Sequence, residues 1–371
     1  MWHKAMNFLL LIFKSLFDEN SFEKGSMNAA KIRLKRKTVK KEVQNHYDHD
    51  KDFFLSFLKS YIVEALCDFF GIEEITDRPT VNVPDDPNDT NCVQSKMDEF
   101  IDKYVFAVGT YATSVNVQET EVLTVTPLEL LLPNGQKSTV NILKKQKQSS
   151  LVADYDRIKH YGHVVLQLGL IYMNFLDICK IPDRSRMMCT FKYMLMIFKA
   201  SNNRSKYALE ILRFLCHQQS SYSLKVAHES FYGLFVNTEG KLNTHIPADL
   251  QMEHLIRKTK KLFKAAGPNN IEKSIVKKSK AIAGLSAISE NYDELGGVVV
   301  RVNRHKKKES HEDEMKLVSD LRTVRPFAAV MGRKFPQFEK ILSPFHNSLD
   351  KDHYSAWIKH HLKVLTYESG K

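Results

Sequence analysis

YDRIKHYGHVVLQLGLIYMNFLDICKIPDRSR, residues 155–186, followed by YMLMIFKASNNRSKYALEIL at 193–212, is the stretch that decides the fold class. Apolar side chains return every three or four positions, and the joints between the runs carry Pro, Asp, Asn and Ser, residues that turn a chain or start a helix. This pattern predicts helices over Asp154–Cys179, Asp183–Ala200 and Ser205–Gln218, with Asp183 as an N-cap. The same spacing continues at Leu224–Phe235, Pro247–Ala266 and Ile271–Ser289, joined by QQSSYS, NTEGKLNTH and GPNN. Short polar joints between amphipathic helices imply packed antiparallel neighbours. The expected core of this array includes Leu166, Leu170, Phe175, Met194, Phe198, Leu212, Leu215, Leu255, Ile256 and Phe263. No unit repeats in sequence, so a solenoid of identical modules is not implied.

Towards the N-terminus, residues 2–17 are apolar on most faces and read as a buried helix rather than a signal peptide, because Lys14 interrupts the run and no small-residue cleavage site follows. KDFFLSFLKSYIVEALCDFFG, ending at Gly71, places apolar residues at 53, 54, 57, 58, 61, 62, 65, 66 and 69, a strong helical period. Residues 72–91 read as loop and 95–107 as helix, while TEVLTVTPLELL (120–131) and STVNIL (138–143) suggest short strands. The polar seam LKKQKQSS at 143–150 marks a candidate boundary. The fold class expected is mainly α, a helical array with a few short strands in the N-terminal third. Its domains are an N-terminal basic helical region (1–150), a helical core (151–297), and a charged connector with a C-terminal helical tail (298–371). VVLQLGLIYMNFL contains Gln167 and Asn174 and is too short to span a bilayer, so no transmembrane segment is expected.

The chain of 371 residues, 43% apolar and 10% aromatic, has the material for hydrophobic cores and excludes wholesale disorder. Its 55 Lys and Arg against 43 Asp and Glu leave a net charge of +12, which favours polyanionic partners. Five cysteines, Cys67, Cys92, Cys179, Cys189 and Cys216, form no CxxC pair, as expected of an intracellular protein with reduced thiols.

Chemistry-bearing motifs are few. There is no glycine-rich phosphate loop, no GxSxG and no HExxH. The His46/His49 and His160/His163 pairs lack the Cys or carboxylate cluster that zinc requires, so neither metal nor cofactor is expected. KIRLKRKTVKKE supplies Lys31, Arg33, Lys35, Arg36, Lys37, Lys40 and Lys41 as candidate phosphate contacts, and the helix beginning at Pro247 adds Arg257, Lys260, Lys261 and Lys264. Without interleaved aromatics, contact with DNA or RNA would be non-specific, and a basic run of this kind also suits a nuclear address. Helix chemistry alone accounts for the acids in HIPADLQMEHLIRKTKK: Pro247 starts the helix, Asp249 sits in its first turn, and Glu253 pairs with Arg257 four residues on.

WHKAMNFLLLIFKSLF, the stretches quoted above, NTEGKLNTHIPADLQMEHLIRKTKKLFKAAG and GRKFPQFEKIL together resemble the domain of unknown function 6589 family, in order and over most of the chain. That family occurs in animal and fungal proteins, many of them similar to products of mobile elements. The resemblance implies a transposon-derived protein. Longer members carry acidic motifs upstream of the pair matching Trp2 and His3, a layout similar to RNase H-like transposases, and on that analogy Glu253 corresponds to the final metal-binding acid. With Met1–Trp2 as the start, the upstream acids are missing, and one carboxylate cannot hold two divalent ions. The expectation is therefore a noncatalytic helical protein with non-specific nucleic-acid binding. The alternatives are a protein-interaction module that binds no nucleic acid, and a transposase or nuclease fragment completed elsewhere.

Overall fold

The apolar side chains of residues 2–16 exceed what any surface helix needs, and in a computed structural model of the chain they fill the protein's interior. Helix α1 (Trp2–Leu16) buries Phe8, Leu9, Ile12, Phe13 and Leu16 completely. The structure describes residues 1–86, 88–106, 117–131, 137–151, 156–201, 205–265, 271–281, 307–328 and 351–369, with a few single positions between them. The remaining helices are α2 (Met27–Arg33), α3 (Tyr47–Phe70), α4 (Thr90–Ile101), α5 (Arg157–Lys180), α6 (Arg184–Ala200), α7 (Ser205–Cys216), α8 (Leu224–Tyr232), α9 (Ala248–Ala265), α10 (Glu272–Ser279), α11 (Lys307–Val324) and α12 (Lys351–Ser369). Strands β1 (Val117–Leu131) and β2 (Lys137–Leu151) form an antiparallel hairpin, and a two-residue bridge pairs β3 (Phe235–Val236) with β4 (Ile246–Pro247). The fold is mainly α.

The chain groups into two compact units, with boundaries inside α3 and α5: residues 1–64, 165–325 and 341–371, and residues 65–164 and 326–340. In the first, α1 lies among α3, α5 and α6. The Phe8 ring meets Phe198 at 5.7 Å and Tyr172 at 6.2 Å, while Phe54 meets Tyr172 at 6.0 Å and Phe13 at 6.5 Å. α3 and α5 approach so closely at Gly169 that any side chain there would force Leu58 to shift. A Cβ there would lie 2.9 Å from Leu58 Cδ2 and 3.0 Å from its Cγ, and Leu58 is fully buried. By length and composition α5 is apolar enough to cross a membrane, yet 67% of that window is buried inside the protein.

The PDRSR joint between α5 and α6 is built from its own polar residues. The Asp183 carboxylate accepts from the Arg186 N–H at 2.8 Å, capping α6 as its sequence position predicts. Arg186 reaches back to Asp177 (2.7 Å) and Asn174 (2.6 Å) on α5. Arg184 donates to the Gln218 side chain and carbonyl, and Gln218 donates to Ala227 O and Ser230 Oγ, tying the turn after α7 to α8.

In the second unit, Phe69, Phe100, Tyr104, His163 and Phe327 form an aromatic cluster, with Phe100–Tyr104 centroids at 5.0 Å and Tyr104–Phe327 at 5.1 Å. The Tyr104 hydroxyl donates to Asp68, and His163 Nδ1 donates to the Tyr104 carbonyl at 2.6 Å. Burial pushes the His163 imidazole down to about 4. Arg333 closes the unit on Asp156 at 2.7 Å.

Several expectations change. The strands are 15 residues each rather than short, and LKKQKQSS is the second half of β2, its residues paired along the backbone ladder with Gln118–Val125. The seam lies within residues 65–164 of the second unit. The connector NRHKKKESHEDEMK runs into α11, whose Leu317, Val318 and Leu321 are buried. Leu166, Phe175, Met194, Phe198, Leu212 and Leu215 are buried as expected. Leu170 and Leu255 are half-buried and Ile256 is 40% exposed, while the Phe263 side chain lies outside the described residues. Helical period fixes which side chains share a face, but not whether another element reaches that face.

Gly169→Ala should destabilise the protein by about 1–3 kcal/mol, because the fully buried Leu58 side chain must shift within a packed core to admit the methyl group. Urea denaturation measures this, and an unchanged midpoint would show that α3 and α5 do not meet there.

Candidate functional site

Four backbone termini converge where α1 begins, α3 begins, α5 ends and α9 begins. Between them lies an open cleft of about 1030 Å³. Leu55, Met173, Leu176 and Leu250 supply apolar walls, and Trp2 and Tyr47 supply aromatic ones. The Trp2 indole is half-buried and fixed by edge-to-face contacts with His3 (4.8 Å) and Tyr47 (6.0 Å). The Tyr47 hydroxyl lies 3.2 Å from that of Tyr172, and burial pushes its phenol up to about 12. Cys179, also on the wall, has its thiol pushed to about 12 by burial, which keeps it protonated and unreactive at neutral pH.

The rim is polar, with His46, His49, His245 and His254 together with Lys51, Lys180, Arg257, Asp48, Asp52 and Asp177. Most of the acidic charge is already matched. Asp48 pairs with Lys51 at 2.9 Å and Asp177 with Arg186 at 2.7 Å. His245 donates to the Lys180 carbonyl at 3.2 Å, which fixes the end of α5 against β4.

Asp249 holds the two ends of the cleft together. Its carboxylate accepts from the Met1 nitrogen (2.8 Å), the Trp2 N–H (2.9 Å), the His3 N–H (3.1 Å) and His3 Nδ1 (3.1 Å). Burial pushes this carboxyl up, but the hydrogen bond and charge at Met1 and the two N–H groups outweigh it, leaving the group well below the usual carboxylate range. Asp249 therefore serves the first turn of α1 as well as its own helix, a role that nothing local in IPADLQ indicates.

Glu253, one turn on, is half-buried. The Glu253–Arg257 pair expected along the helix is not closed, and Arg257 lines the cleft instead. Among the described residues, no group of three or more His, Cys, Asp or Glu side chains is placed to hold a metal ion.

The two basic segments differ in their surroundings. In the first, Arg36 pairs with Asp313 at 2.7 Å, Arg33 lies 3.4 Å from Asp320, and the Lys31 ammonium sits over the Phe17 ring at 5.4 Å. Lys35, Lys37, Lys40 and Lys41 are exposed. In the second, Arg257, Lys260, Lys261 and Lys264 are all exposed, and none is ion-paired among the described residues. At spacings of three and four they form one stripe along α9.

Beneath the first segment lies a carboxylate that the sequence did not single out. Asp50 is fully buried; one oxygen accepts from the Lys40 N–H at 3.2 Å, and the other has no hydrogen-bond partner among the described residues. Burial raises its pKa to about 7, against the smaller opposing effects of the Lys40 N–H and the Lys31 charge.

Residues 1–305 match the model of a family of unknown function, DUF6589, and the chain belongs to that family. No curated protein and no solved structure matches it.

Asp249→Ala should cost about 1–2 kcal/mol in urea or thermal denaturation, since it leaves the N–H groups at the start of α1 without their acceptor, and Asp249→Asn should cost less. Glu253→Gln should stay within a few tenths of a kcal/mol, as is usual for a carboxylate with no ion-pair partner among the described residues. Equal effects of the two alanine and glutamine changes would remove the distinction drawn between these acids.

The Asp50 carboxyl has a folded pKa of about 7 against ~3.9 in an unfolded chain, so the folded state holds its proton over the intervening range. Its contribution to stability is complete below the unfolded value and is lost as pH rises through the folded one, at no more than ~1.4 kcal/mol per unit. Asp50→Asn should flatten this part of the stability profile and be more stable than the parent protein at mildly alkaline pH. A parallel profile for the variant would show that Asp50 ionises normally.

Proposed function

We propose that this chain is a noncatalytic helical module that holds DNA or RNA, without sequence preference, on the cationic stripe of α9. The observation that supports this reading is the state of Arg257, Lys260, Lys261 and Lys264, which are exposed, aligned and free of acidic partners among the described residues. Such a row releases counterions from a phosphate backbone. Arg33 and Arg36 hold acids of α11, so the N-terminal run serves this purpose less well, and its exposed Lys35, Lys37, Lys40 and Lys41 add to the field rather than form the main contact. The net charge of +12 acts in the same direction.

Fluorescence anisotropy with labelled DNA over a series of salt concentrations tests the reading. Changing the four stripe residues to Gln should weaken binding at low salt and flatten the salt dependence by roughly three to four in log–log slope, about one for each phosphate no longer neutralised. Arg33→Gln with Arg36→Gln should change the slope much less. Binding that ignores salt, or that survives the stripe substitution intact, would overturn the proposal. Magnesium-dependent cleavage abolished by Glu253→Gln would overturn its noncatalytic part.

A further inference from the structure

The stripe on α9 does not end on open surface: its first cation, Arg257, is also part of the cleft wall, and His254, one turn earlier, is another wall residue. We propose that the cleft takes a nucleobase from a single strand whose phosphates follow Arg257, Lys260, Lys261 and Lys264. This rests on the reading of α9 as a nucleic-acid surface and adds to it the form of the ligand.

The cleft's chemistry divides as a nucleotide's does. Its interior offers apolar side chains and the half-buried Trp2 ring, held in one orientation by edge contacts from His3 and Tyr47. An aromatic ring fixed in place and open to a cavity is a stacking platform for any base. At the rim, Lys51 is matched by Asp48 and Asp177 by Arg186, so Lys180 and Arg257 remain as cations against Asp52. The volume of about 1030 Å³ lies at the upper end of small-ligand sites and admits a base with its sugar. Base pairs in a duplex keep their faces stacked and cannot enter such a cleft, whereas an unpaired base can.

Charge alone would give the opposite preference, because a duplex carries the denser row of phosphates. A base-receptive cleft should instead make a short labelled single strand bind about five-fold tighter than the same sequence as a duplex, the factor corresponding to ~1 kcal/mol of stacking. The protein has two tryptophans, so Trp357→Phe leaves Trp2 as the only indole, and its emission should be quenched in a saturable manner by the single strand but not by the duplex. Trp2→Ala, which removes the stacking ring from the cleft, should abolish the preference for single strands while leaving salt-dependent duplex binding in place. Should that variant fail to fold, the Trp2 quenching still decides the question. Equal or tighter duplex binding with unquenched Trp2 emission would overturn the cleft assignment and leave the stripe standing. Absence of salt-dependent binding to either form would overturn both.

Discussion

Helix α1 governs the architecture because most of its faces are apolar, so that it is stable only when surrounded. Burying Phe8, Phe13, Ile12 and Leu16 draws α3, α5 and α6 around one rod, and the aromatic rings between them set the spacing. A rod enclosed along its length still has an end whose N–H groups lack intrahelical partners. Asp249 supplies the acceptor, so the hydrophobic demand of one helix fixes the position of another, α9, at its first turn. The cleft is what remains between elements gathered for that purpose.

Much of the helical frame could be read from the sequence, since period, polar joints and the Asp183 cap are local signals. The α5–α6–α7 segment follows them to within a few residues. What sequence could not show depends on partners distant along the chain. Ile256 has the right period and lies exposed, and α11 looks like a solvated charged connector although three of its residues are buried. The strands exceed the expected lengths because a backbone ladder tolerates the polar residues of LKKQKQSS.

The cleft was not legible in the sequence, which singled out the two basic segments and Glu253; of these only Arg257 lines it. His46, His49, His245, His254 and Trp2 are scattered over the sequence with no motif to join them, and the topology brings them to one cleft. Charge shows the same limit. Composition counts Arg36 and Lys260 equally, yet one is spent on Asp313 within the fold and the other faces solvent. Only geometry distinguishes a cation that holds the protein together from one that a ligand can reach.

The cap of α1 also carries a consequence for how the protein is made. Trp2 and its acceptor are 247 residues apart, and Arg36 is 277 residues from Asp313. At roughly 5–20 residues per second, translation delivers Asp249 about 12–50 s after α1, whereas an isolated helix forms in microseconds. Throughout that interval the most apolar helix of the nascent chain has neither its cap nor its full set of neighbours. Such a segment is an evident substrate for the chaperones that shield hydrophobic surface at the ribosome.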